Sequence, residues 1–145
     1  MNRTEVASAV RVSARTAKQM LEAKLIPMLA ALPPTRSPHG HQFNKTEAFA
    51  LALTTKLYEE GVSRDILRRL LSHIATSPPR RDFPYSVAKL MTMTEDLIIY
   101  GGAYFGTAAG HKYLLETGHH VANPIPVVTK IHIDLSLIVK SLERF

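Results

Sequence analysis

Cysteine is absent from the 145 residues. Disulfide frameworks, cysteine-ligated metal sites and cysteine nucleophiles are therefore excluded, and the absence fits a reducing compartment. Long apolar runs are missing as well. The opening MNRTEVASAV has no extended apolar core of the kind a secretory leader needs. The most apolar later stretch, LIIYGGAYFGTAAG, spans 14 residues, short of the roughly 20 that cross a bilayer as a helix. A cytoplasmic protein without a membrane partner is expected. The chain also lacks a Ser/His/Asp order or an acidic pair that would mark an active site. The glycines of YGGAYFG are misplaced for a dinucleotide fingerprint, with Ala103 where glycine is needed. His39 and His41, and the adjacent His119 and His120, are too few convergent ligands for a metal. No enzyme activity, cofactor or metal is expected, and there is no internal repeat or low-complexity tract.

Acidic residues are the minority charge, 12 against 18 Lys and Arg, for a formal net charge of +6. The imbalance is concentrated. Residues 1–81 carry 13 basic and 6 acidic side chains, whereas residues 82–145 carry 5 and 6. A basic first half followed by a near-neutral second half suggests a polyanion-binding unit with an appended part of different function. With 46% apolar residues the chain can build a real core, and its length suits one domain or a small domain with an appendage.

Helical spacing dominates the first half. Thr4 is a candidate N-cap with Glu5 behind it, and Val6, Ala7 and Val10 share one face. Arg11 and Val12 make a turn. Ser13 caps a second helix over Ala14 to about Ala23, with Ala17, Met20 and Leu21 inward and Arg15, Lys18, Gln19 and Glu22 outward. Two short helices joined by a tight turn make a helix-turn-helix. Pro27, Pro33, Pro34 and Pro38 then forbid a continuous helix. SPHGHQF reads as a hairpin tip bearing Arg36, His39 and His41. Asn44 and Glu47 form a capping-box pattern ahead of a helix with a Phe49, Ala50, Leu53 and Leu57 stripe, ended by Gly61. Ser63 opens another helix, with Ile66, Leu67, Leu70, Leu71 and Ile74 buried and Arg64, Arg68 and Arg69 outside.

The proline-rich ATSPPRRDFPYS marks a break. Beyond it, residues 127–133 alternate as in a strand, and DLIIYGG and HKYLLETG read as short strands ending at glycine. YSVAKLMTM fits helix or strand. The tail DLSLIVKSLERF returns to helix behind Asp134, with Leu135, Ile138, Val139 and Leu142 on one face. Tyr100, Tyr104, Phe105 and Tyr113 either fill a core or line a small-molecule pocket. The expected class is α+β, with residues 1–76 as a DNA-binding domain, 77–84 as a linker and 85–145 as a small strand-rich domain with a C-terminal helix. That second part either self-associates or packs on the first.

The order of elements in residues 3–74, together with VSARTAKQM, KLIP, HQF and LYEEGVSRDILRRLL, resembles the MerR-type winged helix-turn-helix and its excisionase-type branch. Lys24 stands where that family has glycine, His41 where the wing has arginine, and Gln19 and Met20 where it has a tyrosine pair. The resemblance implies a sequence-specific transcriptional regulator that binds double-stranded DNA, although the family's long dimerising coiled coil is absent from this sequence. One short recognition helix gives little specificity alone, so a homodimer on paired half-sites is expected, with RNA polymerase or another regulator as a further candidate partner. The implied contacts are Ser13, Arg15, Thr16, Lys18, Gln19, Lys24, Arg36, His39 and His41. Two alternatives remain: an excisionase-like architectural factor, and a protein-interaction adaptor built on a winged domain.

Overall fold

The first helix begins with a side chain reaching forward. In the computed structural model, which describes residues 1–30, 40–74, 85–108, 110–122 and 129–143, α1 (Arg3–Ala9) is capped by Asn2 rather than Thr4. Asn2 Oδ1 accepts the Glu5 N–H at 2.9 Å and Glu5 Oε1 accepts the Asn2 N–H at 3.0 Å. This reciprocal pair satisfies two donors that a helix start leaves open. Thr4 has no such return partner and sits exposed inside the helix.

α1 closes on a left-handed residue. The Arg11 N–H reaches Ser8 C=O at 3.2 Å and the Val12 N–H reaches Ala7 C=O at 2.9 Å, with Arg11 at φ 57. These two bonds turn the chain directly into α2 (Ala14–Glu22). A 3-10 turn at Pro27–Leu29 follows, with Pro27 at its first position, where the missing N–H leaves no bond unmade. Of the sequence-derived hairpin, residues 40–43 are described and form no strand; Arg36 and His39, and the linker at 77–84, lie outside the described residues.

α3 (Lys45–Glu59) starts at the Asn44–Glu47 capping box and ends at Gly61, φ 101. Its expected stripe proves too narrow, because every residue from Ala48 to Thr55 is buried. The helix is central: α1, α2, α4 (Arg64–Ile74), α5 (Val87–Leu90) and α6 (Leu135–Glu143) all pack on it. Ala48, Ala50 and Ala52 permit that close approach. The Thr54 and Thr55 hydroxyls donate back to Ala50 and Leu51 C=O at 2.7 and 2.8 Å, so neither is an unsatisfied polar group in the core. Phe49 is fully buried; truncating such a ring to alanine costs about 3–5 kcal/mol.

The second half forms an antiparallel sheet ordered β4 (His120–Val121), β3 (Lys112–Leu114), β2 (Tyr104–Thr107), β1 (Leu97–Tyr100), β5 (Lys130–Ile133). β1, β3 and β5 match the expected strands. YSVAKLMTM resolves as the helix α5. Ile131, Ile99, Phe105 and Tyr113 stand side by side in register and face the core. Tyr100 pairs with Tyr104 on the opposite face. The four aromatics weighed as a pocket lining are thus split between two faces of the sheet: Phe105 and Tyr113 join Tyr85 in the core, while Tyr100 lies between Lys112 and Lys130.

The two halves share one core running from Val6 to Ile138. His73 of α4 stacks on Phe105, with centroids 6.0 Å apart, and its Nε2 lies 2.7 Å from Leu115 C=O. α6 rests on α3 and α1 through Leu135 and Ile138. The structure is α+β with an antiparallel sheet and a C-terminal helix. Among the described residues no helix is long and apolar enough to cross a membrane.

Candidate nucleic-acid interface

α2 has two unlike sides. Ala17 and Met20 are fully buried against α1 and α3. Ser13, Arg15, Lys18, Glu22 and Lys24 are exposed, and Thr16 and Gln19 are half-buried. Among the described residues, none of the second half covers this polar side. The separation follows the helical repeat, since residues 17 and 20 fall on one stripe and 15, 18, 19 and 22 elsewhere.

The N-terminus of α2 is organised by two contacts. Ser13 Oγ accepts the Thr16 N–H at 3.4 Å, which assigns Thr16 a place in the cap through its backbone. The Ser13 N–H donates to Glu59 Oε1 at 2.9 Å, across 46 residues of sequence. That carboxylate favours the positive end of the helix dipole and repels an incoming phosphate. No local sequence signal could have revealed Glu59, because it arrives from the end of α3.

The cations of α2 are lightly engaged. Lys18 Nζ lies 3.8 Å from Glu22 Oε1 with both side chains more than half exposed, an arrangement of small energetic worth. Arg15 has no carboxylate partner among the described residues. Lys24, just past α2, holds φ 54, the left-handed region that glycine occupies most readily.

His41 is placed differently from the rest. Its ring meets Phe43 edge-on at 4.8 Å, and Nε2 lies 3.6 Å from Glu47 Oε2. That is ion-pair range for a protonated ring but too long for a hydrogen bond. His41 therefore leans onto the start of α3. Phe43 is itself tied to the chain start, its N–H donating to Met1 C=O at 2.6 Å.

Further arginines lie on α4. Arg64 sits over the Tyr58 ring at 5.9 Å. Arg69 pairs with Asp65 at 3.2 Å, whereas Arg68 is exposed without a carboxylate partner among the described residues. Arg15, Lys18 and Arg68 are thus available for external anions, Arg64 is held by an aromatic face, and Arg69 is used internally. Away from this region, His120 Nε2 lies 2.9 Å from His111 Nδ1, a pairing the sequence did not suggest.

Such a surface can bind a polyanion, and the side chains on α2 can hydrogen-bond to base edges. No protein-family model, curated protein or solved structure matches the chain, so the functional reading rests on α2 and the residues around it.

Proposed function

We propose that the chain is a sequence-specific DNA-binding regulator that lays α2 into the major groove, in the manner of the MerR-type helix-turn-helix it resembles. The observation that carries this reading is the open cationic side of α2 on a helix whose other side is locked by Ala17 and Met20. A rigidly seated helix presents its side chains in fixed register, which base readout requires. Two features add support. The α1–α2 connection is a tight turn fixed by Arg11. Lys24, standing where the resembled family has glycine, adopts the left-handed conformation that glycine favours.

In this proposal Arg15, Lys18 and Gln19 face bases or backbone, and Lys24 and Arg68 meet flanking phosphates. Glu59 moderates the attraction at the α2 N-terminus. One helix of this length reads few base pairs, so two copies on paired half-sites are part of the proposal.

Selection of bound duplexes from a random pool, run at two salt concentrations, tests it. Recovery of an inverted repeat, with weaker retention at higher salt, is the expected result. Recovery of unenriched sequence, or no retention at low salt, would overturn it.

A further inference from the structure

β4 is held lightly. It has two residues and lies at the edge of the sheet, so strand pairing reaches it from one side. The turn before it is tied by main-chain bonds: the Gly118 N–H donates to Leu114 C=O at 2.8 Å, and the Leu114 N–H donates to His119 C=O at 2.9 Å. Beyond His119, β4 pairs His120 with Tyr113 and Val121 with Lys112. Val121 is half-buried and does not belong to the core, so little apolar burial anchors the strand.

Among the described residues, β4 makes one side-chain hydrogen bond. His120 Nε2 lies 2.9 Å from His111 Nδ1. His111 comes just before β3, two positions ahead of Tyr113, the register partner of His120. The two rings are therefore diagonal neighbours across the strand pair. They meet edge-on with centroids 4.5 Å apart, and His120 also meets the Tyr113 ring at 5.8 Å.

A bond between two imidazole nitrogens needs a hydrogen on one and a lone pair on the other. It forms with both rings neutral, and with one ring protonated. With both protonated, each facing nitrogen carries a hydrogen, no acceptor is left, and two like charges are in contact. The surroundings offer no compensation. Among the described residues no carboxylate is within ion-pair range of either ring. On β3, Lys112 directs its ammonium to the Tyr100 ring at 5.5 Å, and Tyr113 presents a neutral ring. In the turn, Glu116 and His119 are exposed to water.

We propose that His111 and His120 form an acid-released latch. The pair holds β4 on β3 while at least one ring is neutral, and lets β4 go when both are protonated. β3 then becomes the edge of the sheet, with unpaired main-chain groups open to another strand.

NMR of the uniformly 15N-labelled full chain between pH 8 and pH 5 tests this, a range across which imidazoles ordinarily gain their proton. Ring nitrogen spectra report the protonation of each histidine, and amide shifts report β4. As both rings become protonated, the His120 and Val121 amides should lose at least half of their displacement from random-coil shifts, while the Leu97–Tyr100 amides of β1 hold theirs. His111→Phe keeps a ring beside His120 without a nitrogen. In that variant the β4 amides should already lie near the parent's acid positions at pH 8, and should change less than half as much on acidification. Parent β4 shifts that persist when both rings are protonated would overturn the proposal. So would a His111→Phe variant whose β4 amides match the parent at pH 8 or respond equally to acid. The readout needs no DNA, so its outcome is independent of the α2 reading.

Discussion

The Ser13 backbone N–H is held by Glu59 Oε1 at 2.9 Å, which fastens the start of α2 to the end of α3. The bond fixes the entry angle of α2. It also places a negative charge where a phosphate would otherwise be welcomed by the helix dipole. Glu59→Gln keeps an acceptor oxygen and removes the charge. Duplex affinity should rise severalfold at low salt, and the gain should shrink as salt is added. The thermal midpoint should fall slightly, because a favourable dipole contact worth about 0.3–1 kcal/mol is lost. Parallel fluorescence-anisotropy titrations and thermal melts of the two proteins check both outcomes. Unchanged or weaker duplex binding at low salt would remove Glu59 from the interface.

Lys24 holds a left-handed backbone, φ 54, where a Cβ costs roughly 1 kcal/mol. Lys24→Gly should therefore stabilise the protein, raising the thermal midpoint by about 2–4 °C for a chain of this size. If Lys24 also meets a phosphate, the same variant should bind DNA more weakly despite its greater stability. Melting and binding measured on one preparation separate the two effects. A lower midpoint would show that the strain argument fails at this turn.

Asp134 caps α6, and its carboxyl is held below the ordinary aspartate value, first by the Leu137 N–H and then by the Ser136 hydroxyl. A depressed folded-state value means the cap contributes fully above the unfolded aspartate pKa of about 3.9 and is lost as pH falls through the lower folded value. Asp134→Ala should lower the midpoint at neutral pH by roughly 2–4 °C, as expected for loss of one cap. The difference between variant and parent should narrow as the pH drops below about 4. Melts across pH 2–7 test this, and a constant difference across that range would contradict it.

What the sequence revealed and what it hid follow from contact range. Ser13, the Asn44–Glu47 pair, Gly61 and Asp134 are local signals: each side chain or backbone acts within three or four residues, so each helix boundary they set was readable. Asn2 and Glu5 carried the same capping-box signal, but Thr4 drew the assignment by residue type alone. Buried helical stripes on α2 and α4 were readable from spacing. The all-round burial of α3 was not, because α5 and α6 reach it from far along the chain. β2 was hidden because Tyr104–Thr107 follows directly on a glycine turn, and β4 because two residues carry no period. On the α2 surface, Arg15 and Lys18 were visible as outward cations. The Glu59 clamp was not, since it joins residues distant in sequence.

The α2 account is tested most directly by the salt dependence of duplex binding for the parent protein and the Arg15→Ala/Lys18→Ala variant. Both side chains are exposed, so the variant should keep the parent's thermal midpoint within about 1–2 °C. Each phosphate contact contributes about 0.9 to the slope of log affinity against log salt. The account predicts a slope shallower by roughly 2 if both cations meet phosphate, and at least a tenfold loss of affinity at low salt. An equal slope and equal affinity in a fully folded variant would contradict it.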